Sequence, residues 1–380
     1  MSPTPVLLLH SSSGRYGADR QLALIAGGLD PDRYVPIVVL PAPGGLAEDL
    51  RAAGIEVLIR PLSVLRRELV HPRGLASLAP ALARDGAALT ALIRRRGVAL
   101  VHSNTSVVLG GAAAAALAGV PHVWHVREIY SRFASWWPAY RRLLLTARAL
   151  PCVSQATAAQ FGGALRAMVI SDGLAVDAHR APRAQARRTL GLHPQAPVIA
   201  LLGRISDWKG HDVLVRALAE PVLRERGTVG LLAGAPWPGA EERCDRILAL
   251  AERLGVADRL VLAGFRDDVD SVYGAADLVA VPSTLPDPLP GAAIEAAAAG
   301  CAVVASAHGG LPEIIRDGET GRLVAPGDPR ALAEVCAELL DDSRERRRLG
   351  SQAAAEVRGR FASARQIQKI QSLYDAVRGG

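Results

Sequence analysis

Between Val281 and Ser306 the chain reads VPSTLPDPLPGAAIEAAAAGCAVVAS. An apolar run ends in a Pro/Ser loop. Asp287 follows, and Glu295 stands eight positions later, where a run of small residues predicts that a helix has begun. A loop carboxylate, a fresh helix N-terminus and a helical carboxylate together suit a nucleotide sugar. The start of a helix offers unbonded backbone N–H groups to phosphate oxygens, and Leu289, Gly291 and Ala292 lie at that start. A carboxylate accepts hydrogen bonds from two adjacent hydroxyls of a sugar or a ribose. A capped, Ala-rich core helix accounts for the same residues equally well.

A second cluster is Gly203-Arg204-Ile205-Ser206-Asp207-Trp208-Lys209-Gly210, between an apolar run and an amphipathic stretch, His211–Ala219. Arg204 brings a planar fork and Lys209 a compact charge, and from one strand-to-helix loop both can reach one diphosphate. A solvated basic loop is the plainer reading. Near the N-terminus, Ser11 to Asp19 forms another such loop. It lacks the Lys-Ser/Thr of a P-loop and the GxGxxG of a nicotinamide site. Gly17 there allows a ligand close to the backbone at a helix start, and a flexible connection explains it too. His102 and His125 each end a predicted strand, as ligand contacts or as structural hydrogen bonders, and no further residue completes a metal set. Asp268-Val269-Asp270 has the look of a metal-binding pair, yet acids in a first helical turn are commonplace. No Gly-x-Ser-x-Gly elbow is present.

These groups must be carried by a framework, and the chain alternates strand, loop and helix throughout. Strands are predicted at Val6–His10, Tyr34–Leu40, Glu56–Ile59, Leu100–Ser103, His122–Val126, Pro151–Ser154 and Ala167–Ile170. After a basic, Pro-punctuated stretch, they resume at Val198–Leu202, Thr228–Ala233, Leu260–Ala263, Leu278–Val281 and Ala302–Ala305. Continuous apolar runs fit strands covered on both faces. Helices are expected at Asp19–Leu29 and Leu75–Arg96. The alternation predicts an α/β fold with two doubly wound parallel sheets. Residues 1–173 form one domain, 174–361 a second, and 362–380 a helix that crosses back to the first.

At 380 residues the chain is long for a single core. Half of it is hydrophobic, which excludes a disordered class. No basic segment or cleavage site marks a secretory leader. Val107–Val120 is Gly-broken and about 14 residues long, against the roughly 20 that a span needs, so it reads as a buried helix. Cys152, Cys244, Cys301 and Cys336 are scattered and read as free thiols in a reducing cytoplasm. The net charge of +7 is spread along the chain without a nucleic-acid-binding signature, which argues against nucleic acid as partner.

Taken together, these motifs resemble the retaining, GT-B-fold glycosyltransferases of family 4. The family's acidic motif, Glu, seven residues, Glu, is similar to Asp287 to Glu295. Its Gly-Arg…Lys-Gly loop matches Gly203, Arg204 and Lys209, its N-terminal Gly-Gly loop is similar to Tyr16-Gly17, and its cleft histidine matches His125. Ile170-Ser171-Asp172-Gly173-Leu174 resembles its boundary segment, and Gly310-Leu311-Pro312-Glu313 its Gly-x-Pro-Glu run. Three positions depart from the pattern. Asp287 is one methylene shorter than Glu. Pro288-Leu289-Pro290-Gly291 replaces Pro-Phe-Gly, and Pro290 supplies no N–H. Tyr16 stands where a glycine is usual.

The resemblance implies a metal-independent enzyme of the hexosyl- or N-acetylhexosaminyl-transferase type. A nucleotide sugar, UDP-sugar by preference, binds the second domain as co-substrate, and no other cofactor is needed. On that pattern Glu295 holds the ribose, Gly264-Phe265-Arg266 flank the base, Arg204 and Lys209 grip the diphosphate, and Asp287 binds the donor sugar. An acceptor, whether small molecule, lipid-linked or polysaccharide, binds the first domain. A GT-B-fold UDP-sugar epimerase and a non-catalytic two-domain binding protein share parts of this pattern. The stretch Arg132 to Arg142 mixes aromatics with arginine and fits either peripheral membrane contact, a lid over an acceptor, or a buried helix with a basic edge.

Overall fold

The computed structural model describes all residues except 1, 67, 68, 70, 71, 131–134, 175, 176 and 380. The chain divides into two compact units: Met1–Ala175 with Ser363–Gly380, and Val176–Ala362.

The first unit holds β1 (Thr4–Leu9), β2 (Tyr34–Leu40), β3 (Glu56–Ile59), β4 (Leu100–Ser103) and β5 (His122–Trp124) in one parallel sheet of order β3-β2-β1-β4-β5. A further parallel pair, β6 (Leu150–Cys152) and β7 (Ala167–Val169), continues it through bridges Val123–Ala149 and Val126–Cys152. The strands are short because Pro, Gly or a polar residue ends each apolar run. Those of β1, β2 and β4 are buried almost throughout, as strands with helices on both faces must be. Between strands run helices Gly17–Gly28, Pro72–Arg96 and Gly110–Ala118. The last of these lies within Val107–Val120, where a buried helix is expected; it is buried on one side only, through Gly110, Gly111, Ala114 and Ala115, while Ala116 and Leu117 face solvent because the helix covers the sheet with a single face. Among the described residues no helix is long and apolar enough to cross a membrane.

The helix Ser363–Gly379 belongs to this first unit. Its apolar stripe, Ile367, Ile370, Leu373, Tyr374 and Val377, shares one core with Val6, Leu8, Leu22 and Tyr34. The Tyr34 hydroxyl donates to Asp375 Oδ1 at 2.6 Å, and Gly173 N donates to Gln366 Oε1 at 2.9 Å. Burial of such side chains contributes about 1.5–3 kcal/mol each, enough to fix a helix distant in sequence.

The second unit carries β8 (Val198–Leu202), β9 (Val229–Ala233), β10 (Leu260–Gly264), β11 (Leu278–Val281), β12 (Val303–Ser306) and β13 (Arg322–Val324), all parallel, in the order β10-β9-β8-β11-β12-β13. The edge strand β13 is absent from the sequence reading, because a three-residue strand opening on arginine has no apolar run. The basic stretch before β8 is not a bare linker. It folds into helix Arg183–Thr189, and Arg187 is fully buried there. Its guanidinium meets Asp277 at 2.9 Å and the carbonyls of Ala275, His193, Pro194 and Ala196. A buried guanidinium is tolerated only with its N–H groups so satisfied.

In the Arg132 to Arg142 stretch, residues 132–134 lie outside the described part. Beyond them the aromatics pack inward. Trp137 stacks on Tyr130 at 4.9 Å and meets Phe161 edge-on, and Tyr140 donates to the carbonyl of Ser106 at 2.6 Å. The described residues therefore favour the packed helix with a basic edge, Trp137–Leu144.

Candidate functional site

Strand order reverses in the second unit between β8 and β11, which lie side by side. In an open parallel sheet the crevice outside the carboxyl ends of two such strands is where ligands bind. The loops leaving those ends are 203–210 and 282–290, the two stretches singled out from the sequence.

The loops are held against each other. Thr284 N donates to the carbonyl of Trp208 at 2.8 Å. Gly210 has φ +76°, and a Cβ there would stand 1.9 Å from the carbonyl oxygen of Pro282, so only glycine permits the approach. Lys209 Nζ lies 2.7 Å from Asp287 Oδ2 and 4.4 Å from the centroid of the Trp208 ring. The Ser283 hydroxyl donates to the same carboxylate oxygen at 3.4 Å. Behind Asp287 sits the turn that precedes Pro312-Glu313. Gly310 N donates to the Asp287 carbonyl at 2.7 Å, and Gly309, at φ +61°, leaves no room for a Cβ, which would lie 2.3 Å from that oxygen. His308 Nε2 stands 2.8 Å from the carbonyl of Ser283. These contacts explain the Gly310–Glu313 run physically, since its turn buttresses the Asp287 backbone.

Arg204 lies over the Trp237 ring, Cζ 3.5 Å from its centroid. Backbone bonds join the neighbouring strand ends: Gly203 N to Ala233 O at 2.9 Å, Ile205 N to Ala235 O at 3.1 Å and Gly234 N to Gly264 O at 2.7 Å. Gly264 turns at φ +66°, and Phe265 after it is 40% exposed. Arg266 is engaged with Asp268, Nε at 2.7 Å and the second nitrogen at 2.5 Å. Asp268 thus serves an ion pair at the start of helix Val269–Ala275. Among the described residues no group of three or more His, Cys, Asp or Glu side chains could hold a metal ion.

Helix Gly291–Ala298 begins after Pro290, and no side chain caps it. The first-turn N–H groups of Gly291 and Ala292 have no intrahelical acceptor, while Leu289 is buried beside them. Glu295, one turn along, accepts from the Tyr273 hydroxyl at 3.2 Å. His211, at the start of helix His211–Ala219, is nearly inaccessible. Burial first and the charge of Lys209 second push it down to about 4, so it is neutral at physiological pH. Trp237, Tyr273 and His308 have no place in the sequence reading, and Trp208 and His211 appear there only as members of a loop and of the helix that follows it. A lone aromatic or histidine in a loop carries no signal until the fold shows its neighbour.

In the first unit the order reverses between β1 and β4. The loop after β1 leads into helix Gly17–Gly28, whose first residue is Gly17. Asp19 accepts from Tyr16 N at 2.9 Å and stands 2.9 Å from His10 Nε2, with the Ser12 hydroxyl donating to it at 2.5 Å. The hydrogen bonds of His10, Ser12 and Tyr16 hold its carboxyl below the usual range although burial pulls it upward. Asn104, after β4, contacts His10 Nδ1 at 3.1 Å, and Arg127 donates to the Asn104 carbonyl at 2.8 Å and pairs with Asp172. The sequence reading gave none of these side chains a role of its own: Tyr16 and Asp19 appear there within the N-terminal loop, His10 at a strand end and Asp172 as part of a boundary motif, while Asn104 and Arg127 are absent from it. His125 is fully buried and stacks on His102, with Nδ1 3.3 Å from His102 Nε2. His102 Nδ1 in turn meets the Tyr374 hydroxyl at 2.6 Å. Both histidines lie in the interior of the first unit, where burial pushes His102 down to about 3 and His125 well below its ordinary value.

Comparison with known proteins bears on the family and the fold. A family model described as Glycosyl transferases group 1 matches residues 182–356, and one described as Glycosyltransferase Family 4 matches residues 16–172. A D-inositol 3-phosphate glycosyltransferase of Corynebacterium diphtheriae is 39% identical over 194 residues, 50% of this chain and 45% of that protein. The chain thus spans about half the length of the curated relatives it matches. Among solved structures, HepE of Anabaena in complex with UDP and glucose is 26% identical over 97% of this chain and 99% of its own, with a TM-score of 0.83. Sucrose-phosphate synthase of Thermosynechococcus elongatus, 22% identical at a TM-score of 0.79 over 98% of this chain and 99% of its own, shares the fold. Two Rossmann-like parallel sheets, a paired lysine and aspartate at the switch point of the second, and both family models in register over most of the chain lead to one conclusion: the chain belongs to the GT-B-fold glycosyltransferases of group 1, family 4.

Proposed function

We propose that the protein is a retaining glycosyltransferase that moves a sugar from a nucleoside diphosphate sugar, UDP-sugar first among the choices, to a hydroxyl of an acceptor held by the first unit. The observation that carries this reading is the convergence of Lys209 on Asp287 at the switch point of the second sheet. HepE, solved in complex with UDP-glucose, supports the donor class.

In this reading Arg204, Lys209 and the helix start at Gly291–Ala292 bind the diphosphate, Glu295 the ribose hydroxyls, Gly264, Phe265 and Arg266 the base, and Asp287 the donor sugar. The bond between the anomeric carbon and the diphosphate oxygen breaks, and its electron pair leaves on the phosphate. The acceptor hydroxyl bonds to the same carbon from the same face and gives its proton to a departing phosphate oxygen. Two fixed cations stabilise the developing charge without a metal. His125, buried and stacked on His102, has in this scheme the place of positioning the residues around it.

Thermal-shift screening of the full chain against UDP-, GDP-, ADP- and TDP-sugars tests the donor. A ligand at 100 times its Kd adds about 2.7 kcal/mol of stability. The stabilising donor, incubated with candidate acceptors, should release nucleoside diphosphate at the same rate with and without EDTA, and NMR of the product should show the donor's anomeric configuration. Stabilisation by none of the four would remove the proposal, and an inverted product or an EDTA-sensitive rate would remove its finer parts.

A further inference from the structure

Arg204 and Arg266 solve the same problem in two ways. Arg266 is gripped through its N–H edge by the carboxylate of Asp268, which occupies the donors and neutralises the charge. Arg204 is held by its face: the guanidinium carbon lies 3.5 Å from the centroid of the Trp237 ring, a stacking distance. A stacked aromatic fixes the plane of a guanidinium without using the N–H edge and without cancelling its charge.

Trp237 stands in the loop after β9, between Pro236 and Pro238, and remains 42% exposed. The loop is tied to the one that carries Arg204 by the bonds Gly203 N to Ala233 O and Ile205 N to Ala235 O. Gly234, at φ +155°, lets the two backbones touch, since a Cβ there would lie 1.9 Å from the carbonyl oxygen of Gly203. The ring is therefore set over Arg204 by main-chain geometry.

We infer that Trp237 is a positioning residue: it stacks on the Arg204 guanidinium and presents its N–H edge to the donor diphosphate. This rests on the reading of Arg204 as a diphosphate ligand. The alternative occupant of the exposed ring is the nucleobase itself, and the test separates the two.

The full chain is titrated by calorimetry with whichever of UDP, GDP, ADP and TDP stabilises it, and with the matching nucleoside, which lacks phosphate. Trp237→Ala should weaken the diphosphate by about three- to thirtyfold and leave the nucleoside unchanged, Trp237→Phe should restore most of the loss, and Trp237→Ala should add nothing in an Arg204→Ala background. Equal weakening of nucleotide and nucleoside, or of neither, overturns the inference and leaves the donor reading standing. Full affinity of Arg204→Ala for the diphosphate overturns both, as does a wild-type protein that binds none of the four. Circular dichroism of each variant confirms that the exposed substitution leaves the fold intact.

Discussion

Lys209 Nζ lies 2.7 Å from Asp287 Oδ2, and the two side chains come from the loops that follow the two central strands of the second sheet. The Asp287 side chain is 5% exposed and that of Lys209 21%, so the pair is largely shielded from water and only weakly screened by salt. One contact therefore joins the residue expected to grip phosphate to the residue expected to hold sugar.

Removing either cation should slow the reaction far more than it harms the fold. Arg204→Ala and Lys209→Ala are each expected to lower turnover about a hundredfold, the effect of deleting one preorganised donor to a developing charge. Lys209→Ala also leaves a buried carboxylate without its partner, at a cost of about 1–3 kcal/mol, and Lys209→Met with Asp287→Asn should recover part of that. Nucleotide release and chemical denaturation measure the two effects, and wild-type turnover in Lys209→Ala would count against the diphosphate assignment.

Glu295, proposed as the ribose ligand, stands one turn inside a helix whose first N–H groups are uncapped by any side chain. The wild-type protein is expected to bind the 2′-deoxy form of its nucleotide more weakly, by about 1–3 kcal/mol for the partner left unsatisfied. In Glu295→Ala that preference should vanish. A preference that survives the substitution would place the ribose elsewhere.

The approach of the two loops depends on glycine. Gly210→Ala must relieve a 1.9 Å clash with the Pro282 carbonyl, and Gly309→Ala one of 2.3 Å with that of Asp287, both at positive φ. Each should separate the elements that place Lys209 and Asp287, with a loss of at least about 2 kcal/mol in stability and a larger proportional loss in turnover. As a control, Gly239→Ala, at φ +83° with open space around it, should cost only about 1 kcal/mol. Equal effects at all three positions would show that close approach is not what the first two glycines provide.

Acid should destabilise the protein before its carboxylates titrate. Burial holds His102 and His122 down to about 3 and His125 well below its ordinary value, and burial with Lys209 holds His211 down to about 4. The unfolded chain protonates these groups near pH 6.5, whereas the folded chain keeps His211 neutral to about pH 4, His102 and His122 to about pH 3, and lowers His125 in the same direction. In that window the unfolded state binds more protons, so stability is complete above about pH 6.5 and falls as the pH drops, by up to about 1.4 kcal/mol per pH unit for each histidine. Glu128 and Asp172, raised by burial, act in the opposite sense but are outnumbered. Denaturation midpoints from pH 7.5 to 5 should decline and should decline less in His122→Gln; a flat profile would refute the account.

The thiols should differ sharply in reactivity. Burial pushes Cys152 and Cys336 up to about 12 and Cys301 up to about 11, while Cys244 is only partly buried. A thiolate-specific reagent at pH 8 should modify Cys244 first in the native protein and reach the others only on unfolding. Rapid native labelling of Cys336 would contradict the packing of the second unit's core.

The amino-acid order by itself determined the alternation of strand and helix, the two parallel sheets and the loops that hold Arg204, Lys209, Asp287 and Glu295. Those features rest on local physics: continuous apolar runs demand strands covered on both faces, and Gly, Pro and polar residues end them. It was silent where meaning depends on a distant neighbour. Nothing in a basic stretch distinguishes Arg187, buried on Asp277, from Arg188, exposed beside it. Nor does any local pattern mark Trp237 as the ring over Arg204, His308 as the prop of the Asp287 loop, or β13 as a strand. These assignments follow from pairings between residues tens of positions apart, which strand order and close backbone approach create. Tertiary structure also decided that His125 faces His102 in the interior of its unit, because a histidine at a strand end has the same sequence whichever way its ring is turned.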